Sequence, residues 1–231
     1  MNIDKTSGGI PRIPTALLIV KHSLDWVLAA CGVIVISPLF IILAIAIKID
    51  DGGPIFFRQA RIGRFAQQFL IWKFRTMIVD ADRFLDERGR PTRERITRVG
   101  KVLRRYSLDE IPQLFNILSG QMSLVGPRPL LPERLPQLTD VQRERFAVRP
   151  GVTGLAQIAG RNTVLWSRRF ELDCEYLRTL SLLGDLRIIW RTIGMVLTSR
   201  GIMLDRNPDM VDDLSAANNV DSVQNDRGET S

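Results

Sequence analysis

The feature that most constrains this chain is an apolar run of 22 residues, Trp26 to Ile47, which contains no charged side chain. As an α-helix that rises 1.5 Å per residue, a run of this length matches a hydrocarbon core about 30 Å thick. The run begins too far from the first residue, and continues too long, to resemble a cleavable signal peptide. The sequence therefore predicts a membrane helix, and a simple spanning helix is the first alternative.

Ser37 and Pro38, in the middle of the run, favour a second alternative. Pro38 has no N–H to donate to the carbonyl of Ile34, and its ring crowds that turn, so the helix is expected to bend here. The Ser37 hydroxyl can bond a freed carbonyl, which makes such a bend tolerable in lipid. Cations lie on both sides of the run: Arg12, Lys21, Lys48, Arg58 and Arg61. Because positive charge favours the cytoplasmic face, both ends are expected there, as in a re-entrant helix.

Composition and charge exclude several classes of function. The chain has 231 residues, a net charge of +7, one histidine and two cysteines without a CxxC pattern. These numbers disfavour a disulfide framework, a zinc site and a catalytic triad.

The charge is unevenly distributed along the chain. Between Arg58 and Arg105 there are fourteen Lys or Arg residues and five acids, whereas residues 205–231 carry seven acids and two arginines. The basic block is expected to attract polyanions such as nucleic acid, lipid headgroups or phosphorylated small molecules, and the acidic tail is expected to be disordered.

Two adjacent acids, Asp109 and Glu110, follow the basic block in the stretch SLDEIPQLFNIL, residues 107–118. The three- and four-residue spacing of its apolar positions predicts a helix with one buried face. In such a helix Ser107 and Glu110 match a capping box, or Asp109 is itself the cap. The alternative is catalysis, because a carboxylate can attack phosphorus while cations and Mg²⁺ neutralise the phosphoryl oxygens. The local pattern alone favours capping.

The rest of the chain predicts a small α+β domain. Residues 52–77 alternate apolar and polar positions and contain glycines, which is typical of short strands or a hairpin. Residues 123–133 hold three prolines and predict a stiff, extended segment. Residues 170–183 and 185–200 are expected to form helices, the second of which either packs on the core or lies in a membrane interface.

Several ordered motifs together resemble one family. They are the apolar helix interrupted by Ser-Pro, KFRTM at residues 73–77, RRYSLDEIPQLFNIL at 104–118, SLVGPRP at 123–129 and RPGVTGLAQIAGRN at 149–162. Over residues 21–202 the chain is similar to the bacterial sugar transferases, the monotopic polyprenyl-phosphate hexose-1-phosphate transferases in their minimal form. The resemblance implies an α+β, mainly helical fold. Its parts are an N-terminal segment at 1–20, a re-entrant, Ser-Pro-kinked membrane helix at 21–50, a cytosolic transferase domain with interfacial amphipathic helices at 51–202, and a disordered acidic tail at 203–231.

The resemblance also implies a reaction. A hexose-1-phosphate moves from a UDP-sugar to undecaprenyl phosphate through a covalent aspartyl phospho-sugar, UMP is released, and the assembly of an exopolysaccharide, capsule, O-antigen or glycoprotein glycan begins. Asp109 is then implied as the nucleophile and a Mg²⁺ ligand, and Glu110 as a second ligand or a base. The residues implied in substrate binding are Lys73, Arg75, Arg104, Arg128, Arg149, Gln157, Arg161 and Asn162. Asp185 matches a further acid of the family, although at a helix start it could serve only as a cap. Ser37 and Pro38 match the family's re-entrant bend.

The implied partners are a UDP-sugar, undecaprenyl phosphate and anionic lipids of the bacterial inner membrane, with the domain on the cytoplasmic face; a homodimer is left open. A membrane-anchored nucleic-acid binder is the first rival, but the basic block lacks the interleaved aromatic residues of a base-stacking surface. A non-catalytic basic scaffold is the second, and it would leave Asp109 and Glu110 as a helix cap. The sugar cannot be read from the sequence, because its recognition depends on a few contacts made by loops.

Overall fold

The computed structural model describes residues 13–84, 92, 95–160 and 164–198. The elements in chain order are α1 (Thr15–Asp51), β1 (Phe56–Ile62), β2 (Gln68–Phe74), α2 (Arg98–Arg105), α3 (Gln113–Leu118), β3 (Ser123–Val125), α4 (Asp140–Arg143), β4 (Gly151–Thr153), α5 (Leu155–Gly160), α6 (Trp166–Arg178) and α7 (Leu182–Thr198). Single 3-10 turns lie at Arg64–Ala66, Ala81–Arg83, Leu108–Glu110, Pro132–Gln137 and Glu144–Ala147. The fold is mainly helical with two small sheets, as the sequence predicts; the expected tail at 203–231 lies outside the described residues.

The apolar run forms the centre of α1, a continuous helix of 37 residues with Pro38 inside it. Ser37 Oγ donates a hydrogen bond of 2.8 Å to the carbonyl of Ile34, which is the carbonyl that Pro38 cannot satisfy. The hydrogen bond predicted for this serine is therefore present. Gly52 ends the helix in a left-handed conformation with φ of 73°, which glycine adopts without strain. Among the described residues, α1 is the one helix long and apolar enough to cross a membrane.

One face of α1 packs along the domain, and the other faces are open. Its buried residues are Leu18, Lys21, Asp25, Ala29 and Ile47, and the first four follow one another at the three- and four-residue steps of a single helix face. Further along the same face, the ring of Phe40 lies 4.7 Å from that of Phe74, measured between centroids. Ile34, Val35 and Ile49 are 73%, 77% and 80% exposed on the other faces. The helix thus presents a long apolar surface away from the domain.

Ion pairs fix both ends of α1 to the same domain. Near its start, Lys21 Nζ lies 2.6 Å from Asp185 Oδ2 of α7 and 3.4 Å from Asp25 Oδ2 of α1 itself. At its end, Asp51 pairs with Arg75, which directly follows β2. Burial raises the pKa of Asp185, although Lys21 opposes that shift. Asp185 is therefore a buried partner of α1, and the interpretation of this residue as only a helix cap is wrong.

The strands and the later helices agree with the sequence in kind and differ in their limits. β1 and β2 form an antiparallel hairpin within residues 52–77, as predicted, with Phe57 opposite Lys73. β3 and β4 form a parallel pair, and β3 is followed by backbone without helix up to the turn at Pro132. α6 begins four residues before the predicted start of its helix, and α7 begins three residues before.

The predicted helix at 107–118 is broken, and its predicted apolar face is only partly buried: four of the five apolar residues pack against the core, whereas Phe115 is 39% exposed. A 3-10 turn at Leu108–Glu110 is followed by α3, with Pro112 at its N-cap position. Two polar residues, Gln113 and Asn116, are 2% and 0% exposed. The amide of Asn116 explains the difference, because its Nδ2 donates to the carbonyl of Leu70 at 2.8 Å and its Oδ1 accepts from the N–H of Trp72 at 2.9 Å. These two bonds fasten the segment that carries the acids to strand β2.

Candidate active site

Three separate segments bring charged side chains together around Asp109 and Glu110. Lys73 of β2 places its Nζ 2.7 Å from Glu110 Oε1 and 3.7 Å from Asp109 Oδ2. Arg128, in the extended segment after β3, places Nη2 2.7 Å from the same Glu110 oxygen. The side chains of Lys73, Asp109 and Glu110 are only 14–18% exposed, whereas that of Arg128 is 47% exposed. The two acids therefore lie at the floor of the site, and Arg128 lies at its opening.

The backbone at Ser107 explains why the acids face this site. Ser107 has φ of 55° and ψ of 23°, a left-handed conformation that few residues other than glycine adopt. The chain therefore turns sharply between α2 and the 3-10 turn, and the Ser107 side chain makes no capping bond. The Glu110 side chain reaches Lys73 and Arg128 instead of the Ser107 N–H. Both capping interpretations, the Ser107–Glu110 box and Asp109 as the cap, are wrong.

Glu110 is held as a carboxylate by its two cationic partners. Burial alone would raise its pKa, but the charges and hydrogen bonds of Arg128 and Lys73 outweigh burial and hold the pKa of Glu110 well below its usual range. An acid of this kind releases its proton easily and accepts one poorly. Glu110 is therefore suited to hold cations in place, and it is a weak candidate for a general base.

Asp109 has the opposite electrostatic environment. Burial raises the pKa of Asp109, Lys73 opposes the shift, and the neighbouring charge of Glu110 adds to it. Among the described contacts it accepts no hydrogen bond, and its nearest cation is Lys73 at 3.7 Å. A buried carboxylate with little solvation retains more of its nucleophilic character than a fully hydrogen-bonded one. The geometry thus separates the two acids into a reactive group and a supporting group.

Two further arginines add positive charge around the site, beyond that of Lys73 and Arg128. Arg104, from α2, donates from Nε to Thr76 Oγ1 at 2.9 Å; burial lowers its pKa, and Asp109 opposes the shift. Burial, followed by the charge of Arg128, lowers the pKa of Arg61 to about 10, so it is still a cation at neutral pH. The sequence-based list of site residues omits Arg61 and Thr76. The alternation of β1 could have indicated Arg61, whereas no signal in the sequence indicates Thr76.

The other predicted substrate-binding residues either have described contacts away from the two acids or are not among the residues that the structure describes. Arg75 pairs with Asp51 at the end of α1. The guanidinium of Arg149 lies beside Gly120, just beyond α3. Gln157 of α5 has both amide atoms buried without a hydrogen-bond partner among the described residues. Arg161 and Asn162 lie outside the described residues.

The residues at the site suit Mg²⁺ with substrate-supplied ligands. Within the described part of the chain no group of three or more His, Cys, Asp or Glu side chains could hold a metal. Asp109 and Glu110 offer hard carboxylate oxygens, and Glu110 Oε1 alone receives both cations. Mg²⁺ is commonly bound by one or two carboxylates together with water and substrate phosphates. The pair therefore fits a metal that arrives with a diphosphate, and it does not form a complete protein cage.

Comparisons with known proteins identify the family of this chain. The sequence profile of the family described as bacterial sugar transferase matches residues 16–199. The exopolysaccharide production protein ExoY of Sinorhizobium fredii is 43% identical over 196 residues, covering 78% of this chain and 87% of the relative. A UDP-glucose:undecaprenyl-phosphate glucose-1-phosphate transferase of Caulobacter vibrioides is 40% identical over 207 residues, covering 84% and 75%. An enzyme of the same name from Escherichia coli K12 is 39% identical over 201 residues, covering 80% and 43%. The chain belongs to the bacterial sugar transferase family.

Proposed function

We propose that this protein transfers a hexose-1-phosphate from a UDP-sugar to undecaprenyl phosphate, with release of UMP, as the first step of glycan assembly. The observation that carries the proposal is the largely buried Asp109, which accepts no hydrogen bond among the described residues and lies beside Lys73 and near Arg104 and Arg128. The names of the relatives support the same donor and acceptor classes. The nucleic-acid and scaffold alternatives are not favoured, because neither requires a buried nucleophile surrounded by cations.

The reaction proceeds in two displacements at one phosphorus. In the first, an Asp109 oxygen bonds to the phosphorus next to the sugar, the bond from that phosphorus to the bridging oxygen breaks, and UMP leaves. In the second, a phosphate oxygen of the lipid attacks the same phosphorus and displaces the Asp109 carboxylate, which forms the lipid diphosphate sugar. A phosphate monoester has its second pKa near 6, so the acceptor is already largely ionised at neutral pH. The weak basicity of Glu110 therefore does not impede the second step.

The cations of the site stabilise the charge that develops during both displacements. Lys73 faces both acids, and Arg128 stands at the opening, where the donor diphosphate enters. Arg104 and Arg61 add positive charge behind them. Asp109 and Glu110 would hold Mg²⁺, which when bound neutralises phosphate oxygens of the donor. With four cations and two carboxylates, the protein side chains alone leave the site positive, which favours a negatively charged donor.

An apolar groove beside the acids offers a path for the lipid chain. It lies between α1 and α3, has a volume of about 150 Å³, and is lined by Val33, Ile36, Ser37, Phe40, Ile41, Ile111, Leu114 and Phe115. Ile111 directly follows Glu110, so one end of the groove adjoins the site. The isoprenoid chain of the acceptor then lies against the membrane helix while its phosphate reaches Asp109. Such a position avoids drawing the lipid out of the bilayer.

Membrane attachment at the cytoplasmic face of the inner membrane completes the proposal. α1 enters the bilayer as a re-entrant helix bent at Ser37–Pro38, which agrees with the contacts of both its ends to one domain. α7 exposes a second apolar row at three- and four-residue spacing, in which Leu183 and Leu186 are each 58% exposed, Trp190 78% and Ile193 47%. Arg187 and Arg191 of the same helix would meet anionic headgroups, which is the pattern of an interfacial helix.

The reaction is tested by UMP release from a panel of UDP-sugars in the presence of undecaprenyl phosphate and Mg²⁺. At least one donor is expected to give continuous turnover. With that donor but no acceptor, release is expected to stop near one UMP per enzyme, and intact-mass analysis is expected to find a sugar-phosphate adduct on Asp109. Sustained turnover without any adduct would contradict the covalent mechanism, and no turnover with any donor would contradict the proposed function.

The topology of α1 is tested by labelling single cysteines with a membrane-impermeant reagent, after replacement of Cys31 and Cys174. Cysteines introduced near residues 12 and 52 are expected to react from the same side of sealed inverted vesicles. Asp140→Cys, in α4 of the domain, marks the cytoplasmic side as a control. Labelling of positions 12 and 52 from opposite sides would show that α1 spans the membrane.

A further inference from the structure

The segment that carries Arg128 is fastened to its surroundings at nearly every residue. The N–H of Gly126 donates to the carbonyl of Thr153 at 2.9 Å, and the carbonyl of Pro127 accepts from the N–H of Gly151 at 2.9 Å. The carbonyl of Leu130 accepts from the N–H of Ile62 at 2.8 Å. These three bonds are all between backbone groups. The carbonyl of Arg128 itself is different, because a side chain binds it.

That side chain is Arg145, which lies between Arg128 and helix α6. One nitrogen, Nη2, donates to the carbonyl of Arg128 at 2.6 Å and lies 2.8 Å from Asp173 Oδ2. The side chains of Arg145 and Asp173 are 3% and 2% exposed. Burial raises the pKa of Asp173 to about 6, so at neutral pH the group is mostly ionised and the contact is an ion pair. Neither residue is in contact with Asp109 or Glu110 among the described ion pairs.

This contact bears on the backbone from which the Arg128 side chain projects. Pro127 and Pro129 restrict the backbone angles on either side of Arg128, and the charge-assisted bond from Arg145 fixes the orientation of the following peptide. The side chain of Arg128 is 47% exposed, so packing alone does not hold it in place. Besides its ion pair with Glu110, its position depends on the direction in which the backbone points it.

We propose that Arg145 and Asp173 are positioning residues of the transferase site, which orient Arg128 toward Glu110 and the donor diphosphate. Asp173 holds Arg145, Arg145 holds the carbonyl of Arg128, and Arg128 meets the phosphate. The proposal rests on the proposed function of the Asp109–Glu110 site. It assigns a task in the reaction to a buried ion pair that otherwise only joins α6 to the segment before β4.

A double-mutant cycle between Arg145 and Arg128 tests the proposal. Arg145→Met is expected to lower kcat/KM for the UDP-sugar by about 10- to 100-fold, the scale of a misplaced catalytic group. In an Arg128→Ala background the same substitution is expected to cost less than about 3-fold, because the group that it positions is gone. Equal losses in the two backgrounds would overturn the proposal and leave Arg145 a structural residue. Parental activity of Arg128→Ala alone would instead reject the proposed function of the site.

Two further variants separate positioning from folding. Arg145→Met with Asp173→Leu removes the pair without leaving a buried charge, so the protein is expected to fold normally. Its kcat/KM is still expected to be about 10- to 100-fold low, since nothing binds the carbonyl of Arg128; parental activity in this variant would overturn the proposal. Glu171→Gln, which breaks an exposed ion pair on the same helix α6, is the matched control and is expected to leave kcat/KM unchanged. A loss in Glu171→Gln equal to that in the double variant would also overturn the proposal.

Discussion

Replacement of Asp109 by Asn is expected to reduce sugar-phosphate transfer by about three orders of magnitude or more while the protein stays folded. An amide of the same shape cannot form the bond to phosphorus, and losses of this size follow the removal of a catalytic nucleophile. The fold does not depend on the charge, because Asp109 accepts no hydrogen bond among the described contacts and burial raises its pKa. The unfolding temperature is therefore expected to equal or slightly exceed the parental value. UMP release and thermal unfolding in detergent measure the two effects.

A surface acid provides the comparison for this variant. Asp80→Asn replaces an exposed carboxylate whose one described ion pair is with Arg83, at 3.7 Å, and it is expected to change neither transfer nor stability. If Asp109→Asn turned over the donor at the parental rate, Asp109 could not be the nucleophile. If another residue were the nucleophile and Asp109 only assisted it, the Asp109→Asn variant would show reduced turnover but would still release about one UMP per enzyme from donor alone.

The sequence predicts the local elements of this fold well because their causes are local. The proline that removes a donor and the serine that replaces it are neighbours, so the bond from Ser37 to Ile34 could be expected from the sequence. The hairpin follows from alternation and glycines in one short stretch. The two adjacent acids Asp109 and Glu110, which follow the basic block, can likewise be recognised in the sequence as candidate catalytic residues. The same local pattern, however, also matches a helix cap. Only the turn at Ser107 and the distant Lys73 separate these alternatives.

The parts that could not be predicted depend on contacts between residues far apart in the chain. The apolar spacing places Asn116 outside the predicted buried face of its helix. Asn116 is nevertheless fully buried, because its side chain binds the backbone of β2. Arg145 gives no sign in the sequence of contacting the carbonyl of Arg128, seventeen residues earlier. Asp185 resembles a helix cap until its partner in α1 is known. Buried polar residues are thus the main source of error, because they satisfy partners that periodicity does not reveal.

Replacement of Lys21 by Met is expected to give the largest loss of stability, about 3–5 kcal/mol in the free energy of unfolding, the scale for breaking a buried ion pair. Lys21 is 2% exposed, and among the described residues it is the cation that forms ion pairs with both Asp25 and Asp185. Ser123 and Tyr176 also donate to these acids, at 2.5 and 2.9 Å, but neutral hydroxyls cannot replace a charge. Without Lys21, two buried carboxylates would lie close together with no cation. Thermal unfolding in detergent or nanodiscs, followed by tryptophan fluorescence, measures the loss.

The second lysine of the same helix is the matched control for this prediction. Lys48 is exposed, and among the described residues it donates only to backbone carbonyls at and after Gly52, at 2.7 Å for the closest, so Lys48→Met is expected to cost less than about 1 kcal/mol. If unpaired charge is the cause, the addition of Asp25→Asn and Asp185→Asn to Lys21→Met is expected to restore most of the lost stability, because neutral amides cost much less to bury. Equal losses for the Lys21 and Lys48 variants would show that the buried pair does not hold α1 to the domain. A loss without any recovery in the triple variant would show that Lys21 acts through packing of its long side chain rather than through charge.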